Sequence, residues 1–511
     1  MKIDNNLFIF IDRLIREGQH AQASRTLDEI LQSEIPREFF YQVAAVSRRL
    51  SRSEIGVKLL NPIVRPPATK VIVSTDAERA EYAGCLIRLG IFKEAHAVLD
   101  TVNPEVFPRS LLFRAFAYIA RWDFEKSKKY LEDFMNTKNK DFYEVLIAKV
   151  NLSVGLVFLE EYENASLLLS ELCEVTLETK NMLLYANSLE LAAQSAILGG
   201  HYADADNYLS AAMKALTSSE TIDAFYLKKD QAILNLFRSK NGKKEIQHLM
   251  KIKEEARSRK FWEQGRDCDY YLAIATKNTK IINHLYFGTP YESYRNKLAT
   301  KLNLKKNDFP KFYSWELSSK LEKNESKLRA VQFNILNGEN NKNDDFLNEE
   351  QVPQRLLQSL ASDFYRPRRL MEIFEALFPN EYFMPKYSAD KTHQAFKRLR
   401  SELKRLEIPL VINENSGFYH LSSESGFKVE ILCPQDKSPQ QKNIKNFLIR
   451  RQDKQVRALL RKIKKKEFTA TDFARWNKIS ARTSVRHLKS AFEKGWLERK
   501  GKARFVRYKL K

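Results

Sequence analysis

Copies of one turn motif recur through the first three hundred residues, and they constrain the fold more than any other feature of the chain. Three copies begin with Gly18, Gly90 and Gly200, each followed two positions later by a ring-bearing residue and five positions later by alanine. Weaker copies begin at Trp122 and Glu160. The glycine suits a tight turn, and the alanine lets the next helix approach its neighbour closely. The motif therefore predicts pairs of helices that stack into an elongated array, because one pair cannot bury its apolar face alone.

The spacing of the copies indicates which kind of array this is. The alanine-equivalent positions 95, 127, 165 and 205 are 32, 38 and 40 residues apart, and the 72 residues between positions 23 and 95 leave room for one more unit near Gly56. The pattern resembles the tetratricopeptide repeat family, whose period is close to 34 residues. The resemblance covers residues 1–305 and implies an α-solenoid whose groove binds a protein or peptide. Proline and β-branched residues interrupt the array at 61–75, and other paired-helix solenoids stay open.

The net charge of +23 is concentrated at the carboxyl end of the chain. Residues 441–511 hold 24 lysines and arginines against 5 acidic residues, whereas residues 1–350 and 351–440 each carry only +2. A basic excess confined to one part of a chain is typical of a module that binds a polyanion. Eight aromatic residues lie in the same part, which favours a folded domain over a basic tail.

Residues 441–511 are predicted to fold as three helices followed by two strands. The third helix is expected to bury Ala481, Val485, Leu488 and Phe492 and to present polar residues on its other face. The stretch 469–497 resembles the winged helix-turn-helix of bacterial transcription regulators of the MarR, DeoR and Fic-associated type. The resemblance implies that the third helix enters the DNA major groove while the wing contacts phosphates. The DNA-binding residues expected on this helix and wing are Arg482, Thr483, Arg486, His487, Ser490, Lys500, Lys502, Arg504 and Arg507.

Residues 351–432 are also predicted to contain three helices and a strand pair, with a turn at residues 415–417. The third helix places five residues on one apolar face, namely Thr392, Phe396, Leu399, Leu403 and Leu406. The motifs at 376–379, 399–403 and 417–419 resemble the winged-helix domain of the OmpR/PhoB class. That resemblance implies DNA contacts from the opposite face of the helix, by Gln394, Lys397, Arg398 and Arg405. Because this module carries little net charge and an acidic wing, dimerisation or contact with polymerase stays an alternative.

The remaining features exclude several functions. No sequence signature of a nucleotide-binding loop, hydrolase, metalloprotease or kinase is present, so we expect no enzymatic activity and no cofactor. The four cysteines are far apart and form no metal-binding motif, which suits a reducing compartment. No apolar run is long enough to cross a bilayer, so the expectation is a cytoplasmic protein with no membrane partner. Residues 306–350, rich in Asn and acidic residues near their end, are predicted to be a junction.

Together these observations predict a mainly α protein, a TPR-like α-solenoid followed by two winged helix-turn-helix domains. The predicted function is that of a bacterial DNA-binding transcriptional regulator with a helical arm that senses a partner or ligand. Its partners would be double-stranded DNA and a protein or peptide in the groove, and a homodimer is left open. The alternative is a non-catalytic scaffold whose basic winged helix binds RNA or an acidic protein.

Overall fold

The computed structural model describes most of the chain. The described residues are 3–511 except 67–68, 70, 139, 217–220, 240–241, 318–332, 335–346, 348–350, 386, 424–427, 433–455, 457–458, 461–462, 464–466, 478, 502–505 and 511. They form two compact units, residues 1–433 and 434–511. Within the described part of the chain, no helix is both long and apolar enough to cross a bilayer.

The amino-terminal part of the first unit is a series of helices packed in antiparallel pairs. Among the described residues these are α1 Asn5–Arg16, α2 His20–Leu31, α3 Phe40–Arg49, α4 Ser53–Val64, α5 Asp76–Arg88, α6 Phe92–Leu99, α7 Arg109–Ile119, α8 Phe124–Asn136, α9 Phe142–Phe158, α10 Tyr162–Glu178, α11 Met182–Gly199, α12 Tyr202–Ala215, α13 Ile222–Arg238, α14 Lys243–Ser258, α15 Trp262–Thr276, α16 Thr279–Phe287 and α17 Glu292–Lys301. The first helix of each pair packs against the first helix of the next pair, so these helices form one layer of the array. The predicted helical array is confirmed.

The turn motif acts as the sequence predicts. Gly18, Gly90 and Gly200 have φ angles of 77°, 82° and 82°, in the left-handed region that glycine tolerates best. The weaker copies use non-glycine residues in the same conformation, Trp122 at 58° and Glu160 at 65°. The alanine five positions after each glycine is fully buried between helices. The turn conformation is therefore shared by all copies, even where the glycine is not.

The additional unit predicted near Gly56 is present. Its turn residue is Ser51, with φ 60°, and Gly56 takes the place of the motif's alanine in α4. A Cβ atom at Gly56 would lie 2.5 Å from Sγ of Cys85 and 3.2 Å from Cβ of Ala44. The glycine is thus required by the close approach of α4 to its neighbouring helices, and not by the turn.

The rest of the first unit combines helices with two small sheets. Its elements are β1 Phe312–Glu316, β2 Phe333–Asn334, α18 Val352–Leu360, β3 Arg368–Arg369, α19 Leu370–Leu377, α20 Ser388–Arg405, β4 Leu410–Asn415, β5 Phe418–Ser423 and β6 Lys428–Leu432. One sheet has the order β1-β6-β2, and the other has the order β3-β5-β4. Strands β1 and β2 lie in the stretch predicted as a junction, and β3 and β6 are further strands that the sequence did not predict.

Two predictions about this module are confirmed. The five apolar-face residues predicted for α20 are all buried. Strands β4 and β5 pair as an antiparallel hairpin. Its two turn residues are Ser416 and Gly417, with φ 53° and 78°, so Asn415 itself ends a strand.

The module packs against the helical array inside the first unit. Glu375 of α19 accepts hydrogen bonds from the backbone amides of Phe92 and Lys93, at 3.2 and 2.6 Å. These amides open α6, which has no side-chain cap of its own, so the carboxylate of another element supplies the cap. Phe374 and Phe383 complete the contact, because both are buried in one apolar cluster with residues of α5 and α6.

The second unit contains α21 Ala470–Trp476, α22 Ala481–Glu493, β7 Leu497–Lys500 and β8 Arg507–Leu510. Thr469 caps α21 through a reciprocal pair of hydrogen bonds with Asp472. Strands β7 and β8 are antiparallel, and Phe468 bridges to Tyr508 at the edge of the pair. Most of the first helix predicted for this unit lies outside the described residues.

Candidate functional site

Helix α22 turns a different face inward from the one predicted. Ser484 and Ala491 are fully buried, while Val485 and Phe492 are 51% and 41% exposed. Only Leu488, of the four residues predicted to form the buried face, is buried. The inward face can include Ser484 because its hydroxyl donates a hydrogen bond to the carbonyl oxygen of Ala470 in α21.

His487 must be reassigned on the same grounds. Its side chain is only 7% exposed, so the prediction that it lies on the outward, DNA-facing side of the helix is wrong. Burial lowers its pKa, and the neighbouring charge of Arg486 lowers it further. His487 is therefore a neutral core residue at neutral pH.

Three of the predicted DNA-binding residues of the second unit can be placed on its exposed surface. Arg486 is exposed on α22. Lys500 and Arg507 are paired across β7 and β8, with side chains 69% and 66% exposed, and each lies about 4 Å from Glu467. The side chains of Arg482, Thr483 and Ser490 and the residues Lys502 and Arg504 are outside what the structure describes.

The residues predicted on α20 lie together on one exposed face. Gln394, Lys397, Arg398 and Arg405 are all exposed, opposite the buried stripe. Arg405 pairs with Glu402 at 2.9 Å, which partly neutralises this face. Because the module docks onto the array through α19 and the loop after it, the outward face of α20 stays open to solvent.

A cavity lies at the layer formed by the first helices of the pairs. It has a volume of about 510 Å³ and is lined mainly by α7, α9, α11, α13, α15 and α17. Helix α17 lies against this layer, and the ring of Tyr294 meets the rings of Trp122 at 4.7 Å and Tyr270 at 5.7 Å. Phe158 lies against Trp122 at 5.6 Å. One wall of the cavity is therefore aromatic.

The lining of the cavity also carries buried charges. Lys229 pairs with Asp267 and, at 3.2 Å, with Asp230. Burial opposes its charge, but these two carboxylates outweigh burial and raise the pKa of Lys229. Burial and the neighbouring Asp230 raise the pKa of Glu190 well above its usual value.

Lys297 of α17 projects into the aromatic side. Its ammonium lies 4.1 Å from the ring centre of Phe158 and donates a hydrogen bond to the carbonyl oxygen of the same residue. Burial lowers the pKa of Lys297 to about 8. Within the described part of the chain, no carboxylate lies close enough to form an ion pair with it.

Several polar atoms at the cavity have no hydrogen-bond partner among the described residues. They include the hydroxyl groups of Tyr270 and Tyr294, whose side chains are 5% and 3% exposed, and Oε1 of Gln264. Buried polar groups are almost always paired in folded proteins. Unpaired polar atoms on the lining residues of a cavity make it a candidate binding site.

Sequence reasoning did not find this cavity. Its lining residues are spread between positions 119 and 366, and no spacing in the sequence links them. The one weak signal is composition, since α15 and α17 together contain three tyrosines and two lysines. The structure shows no group of three or more potential metal-binding side chains among its described residues.

Comparisons with known proteins give only distant structural likeness. No family model matches the chain, and no curated protein matches it significantly. A Rap protein complexed with competence and sporulation factor is similar in structure, at 10% identity over 78% of this chain and 92% of that chain, with a TM-score of 0.40. Aspartyl phosphate phosphatase F from Bacillus subtilis is 12% identical over 59% of this chain and 94% of that chain, with a TM-score of 0.33. Neither likeness assigns a function to this chain.

Proposed function

We propose that the protein is a DNA-binding transcriptional regulator whose helical array is the arm that senses a partner or ligand. The observation that carries the proposal is the excess of 19 positive charges in residues 441–511, since 24 basic residues face only 5 acidic ones there. A charge excess of this size on a small folded unit favours a nucleic-acid partner, because neutralising phosphates supplies much of the binding free energy.

The order of elements in the second unit supports the same proposal. A short helix, a longer helix and a two-stranded hairpin follow one another, which is the order of a winged helix-turn-helix. Arg486 and Lys489 are exposed on the longer helix, and Lys500 and Arg507 are exposed on the hairpin. In this arrangement Arg486 reads base edges in the major groove, and the hairpin residues contact phosphates.

The module in the first unit is proposed as a second winged helix. Its order of helix, strand, two helices and hairpin, with the sheet β3-β5-β4, is the order expected of that fold. Its exposed helix α20 offers Gln394, Lys397, Arg398 and Arg405 to DNA. Because residues 351–440 carry only +2, this helix would add to binding led by the second unit.

The test compares Arg486→Ala with a charge-matched control in the full chain. DNA crosslinked to the protein is first recovered across the genome, and affinity for a recovered site and for random DNA is then measured by fluorescence anisotropy. Loss of a base-reading arginine weakens specific binding by about 1–3 kcal/mol and leaves random DNA nearly unaffected. Lys251→Ala, which removes an exposed charge from α14 of the array, is expected to change neither affinity.

Two results would contradict the proposal at different levels. Equal losses on specific and random DNA would limit Arg486 to phosphate contact. Crosslinked RNA in place of discrete DNA sites would favour the alternative, a scaffold whose basic unit binds RNA.

A further inference from the structure

We propose that this cavity of the array binds an organic carboxylate with an aromatic or apolar body. The inference rests on the proposed function in one respect, because it takes the array as the sensing arm and names the chemistry that the arm senses. It is argued from the shape, the unpaired polar atoms and the charge balance of the cavity.

The size and the aromatic wall of the cavity determine the size and the apolar character of the ligand. A volume of about 510 Å³ lies within the range of sites for small organic molecules. Trp122, Phe158 and Tyr294 lie within 6.5 Å of one another, measured between ring centres, and present a continuous apolar surface. An aromatic or apolar group buried there would gain most of its binding free energy from leaving water.

The unpaired hydrogen-bond donors determine which polar group of the ligand the cavity can bind. The hydroxyl groups of Tyr270 and Tyr294 have no partner among the described residues, and their rings lie 5.7 Å apart. Lys297 is one turn from Tyr294 on α17, and its ammonium lies 5.9 Å from the ring centre of Tyr270. Two unpaired hydroxyl groups and an ammonium belong to the lining of one cavity, and all three can donate hydrogen bonds to a carboxylate.

The charge balance of the cavity favours an anion over a cation. The other cations are already paired, Lys229 with Asp267 and Arg366 with Glu372. Of the lining carboxylates, Asp267 and Glu263 are also paired, the latter with Arg266. Burial raises the pKa of Glu190, which disfavours a negative charge on this lining residue. Lys297 is therefore the lining cation that still lacks a carboxylate within the described part of the chain.

The experiment measures the preference for an acid over its neutral amide. Isothermal titration of the full chain uses 3-phenylpropionate, indole-3-acetate and octanoate, each against its primary amide. Acetyl-Ala-Phe with a free or an amidated carboxyl end forms a separate arm. We expect at least one acid to bind on the order of tenfold or more tightly than its amide, as for hydrogen bonds to a charged group. Binding of the small acids alone would identify a free organic acid as the source of the carboxylate. Binding of the dipeptide acid would identify the carboxyl end of a peptide.

Two variants and a control decide whether the cavity is responsible. Lys297→Gln should abolish the preference for the acid, and Tyr294→Phe should reduce it severalfold. Lys301→Gln is the matched control, because Lys301 lies one turn further along α17, pairs with Glu160 at 3.1 Å and does not line the cavity. Thermal unfolding of each variant confirms that it is folded.

Three outcomes would overturn the proposal. They are equal binding of acids and amides, a preference that survives in a folded Lys297→Gln variant, and no binding of any acid or peptide. The titrations contain no DNA, so their failure leaves the DNA-binding proposal standing. Conversely, loss of DNA binding in Arg486→Ala leaves the preference for the acid unchanged.

Discussion

At the scale of single residues, the imidazole of His284 links the stability of the first unit to pH. Its Nδ1 atom lies 3.1 Å from the hydroxyl of Tyr313, and the ring packs against Phe364 and Tyr365 at 5.2 and 5.5 Å. Burial lowers its pKa from 6.5 to about 4. The unfolded chain binds a proton at this imidazole more tightly than the folded chain does. The contribution of neutral His284 to the free energy of unfolding is therefore fully present above about pH 6.5 and is lost as the pH falls towards 4.

The linkage predicts a loss of about 2 kcal/mol in the free energy of unfolding between pH 7.5 and pH 5.0 from this residue alone. Urea unfolding of His284→Gln at the two pH values should show that much less pH dependence than the unmodified chain. His20→Gln, which removes an exposed histidine, is the control and should retain the full dependence. An unchanged dependence in His284→Gln would show that the imidazole is not buried in its neutral form.

Single residues also show where sequence reasoning fails. The buried face of α20 could be predicted because its inward residues are nearly all apolar. In α22 the apolar residues Val485 and Phe492 are exposed, while Ser484 and His487 are buried. A hydroxyl can be buried when a backbone carbonyl accepts its hydrogen bond, and hydrophobic periodicity does not detect such a partner.

At the scale of elements, a buried ion pair joins α15 to the segment before β3. One nitrogen of Arg266 donates to both carboxylate oxygens of Asp363, at 3.0 and 2.8 Å, and both side chains are fully buried. Asp363 also accepts hydrogen bonds from the backbone amides of Tyr365 and Arg366, each at 3.0 Å. The pair therefore fixes both the contact between the elements and the local turn.

Asp363→Asn should lower the free energy of unfolding by about 3–5 kcal/mol, because the buried guanidinium then loses its buried counter-charge and keeps only the partly exposed Glu263. Adding Arg266→Leu should restore much of the loss, since asparagine can still accept the two backbone hydrogen bonds. Lys391→Ala, which breaks an exposed pair with Glu381, serves as the control and should cost less than about 1 kcal/mol. Additive losses in the double variant, measured by chemical denaturation, would contradict this account.

At the scale of the whole molecule, the contacts that could be predicted are the local ones. The repeat turns and the β4–β5 hairpin join residues close in sequence, so a few side chains determine them. Strand β1 pairs with β6 across more than a hundred residues, and Glu375 caps α6 from a distant element. Such long-range contacts depend on how helices and strands pack together after they form, and they cannot be predicted from residue spacing in the sequence.

The packing of the module on the array predicts that the module does not fold alone. Phe374 and Phe383 are 2% and 3% exposed, in a cluster shared with residues of α5 and α6. Their exposure in an isolated fragment 306–433 would remove a large part of the stabilising free energy of a small domain. Calorimetry should show one cooperative transition for the fragment 1–433 and none for 306–433.

The fragment 434–511 is the control, because it is a compact unit with its own core and should unfold cooperatively. A cooperative transition of 306–433 at the midpoint seen in 1–433 would show that the module is independent of the array, and any signal from the cavity to the module would then need another route.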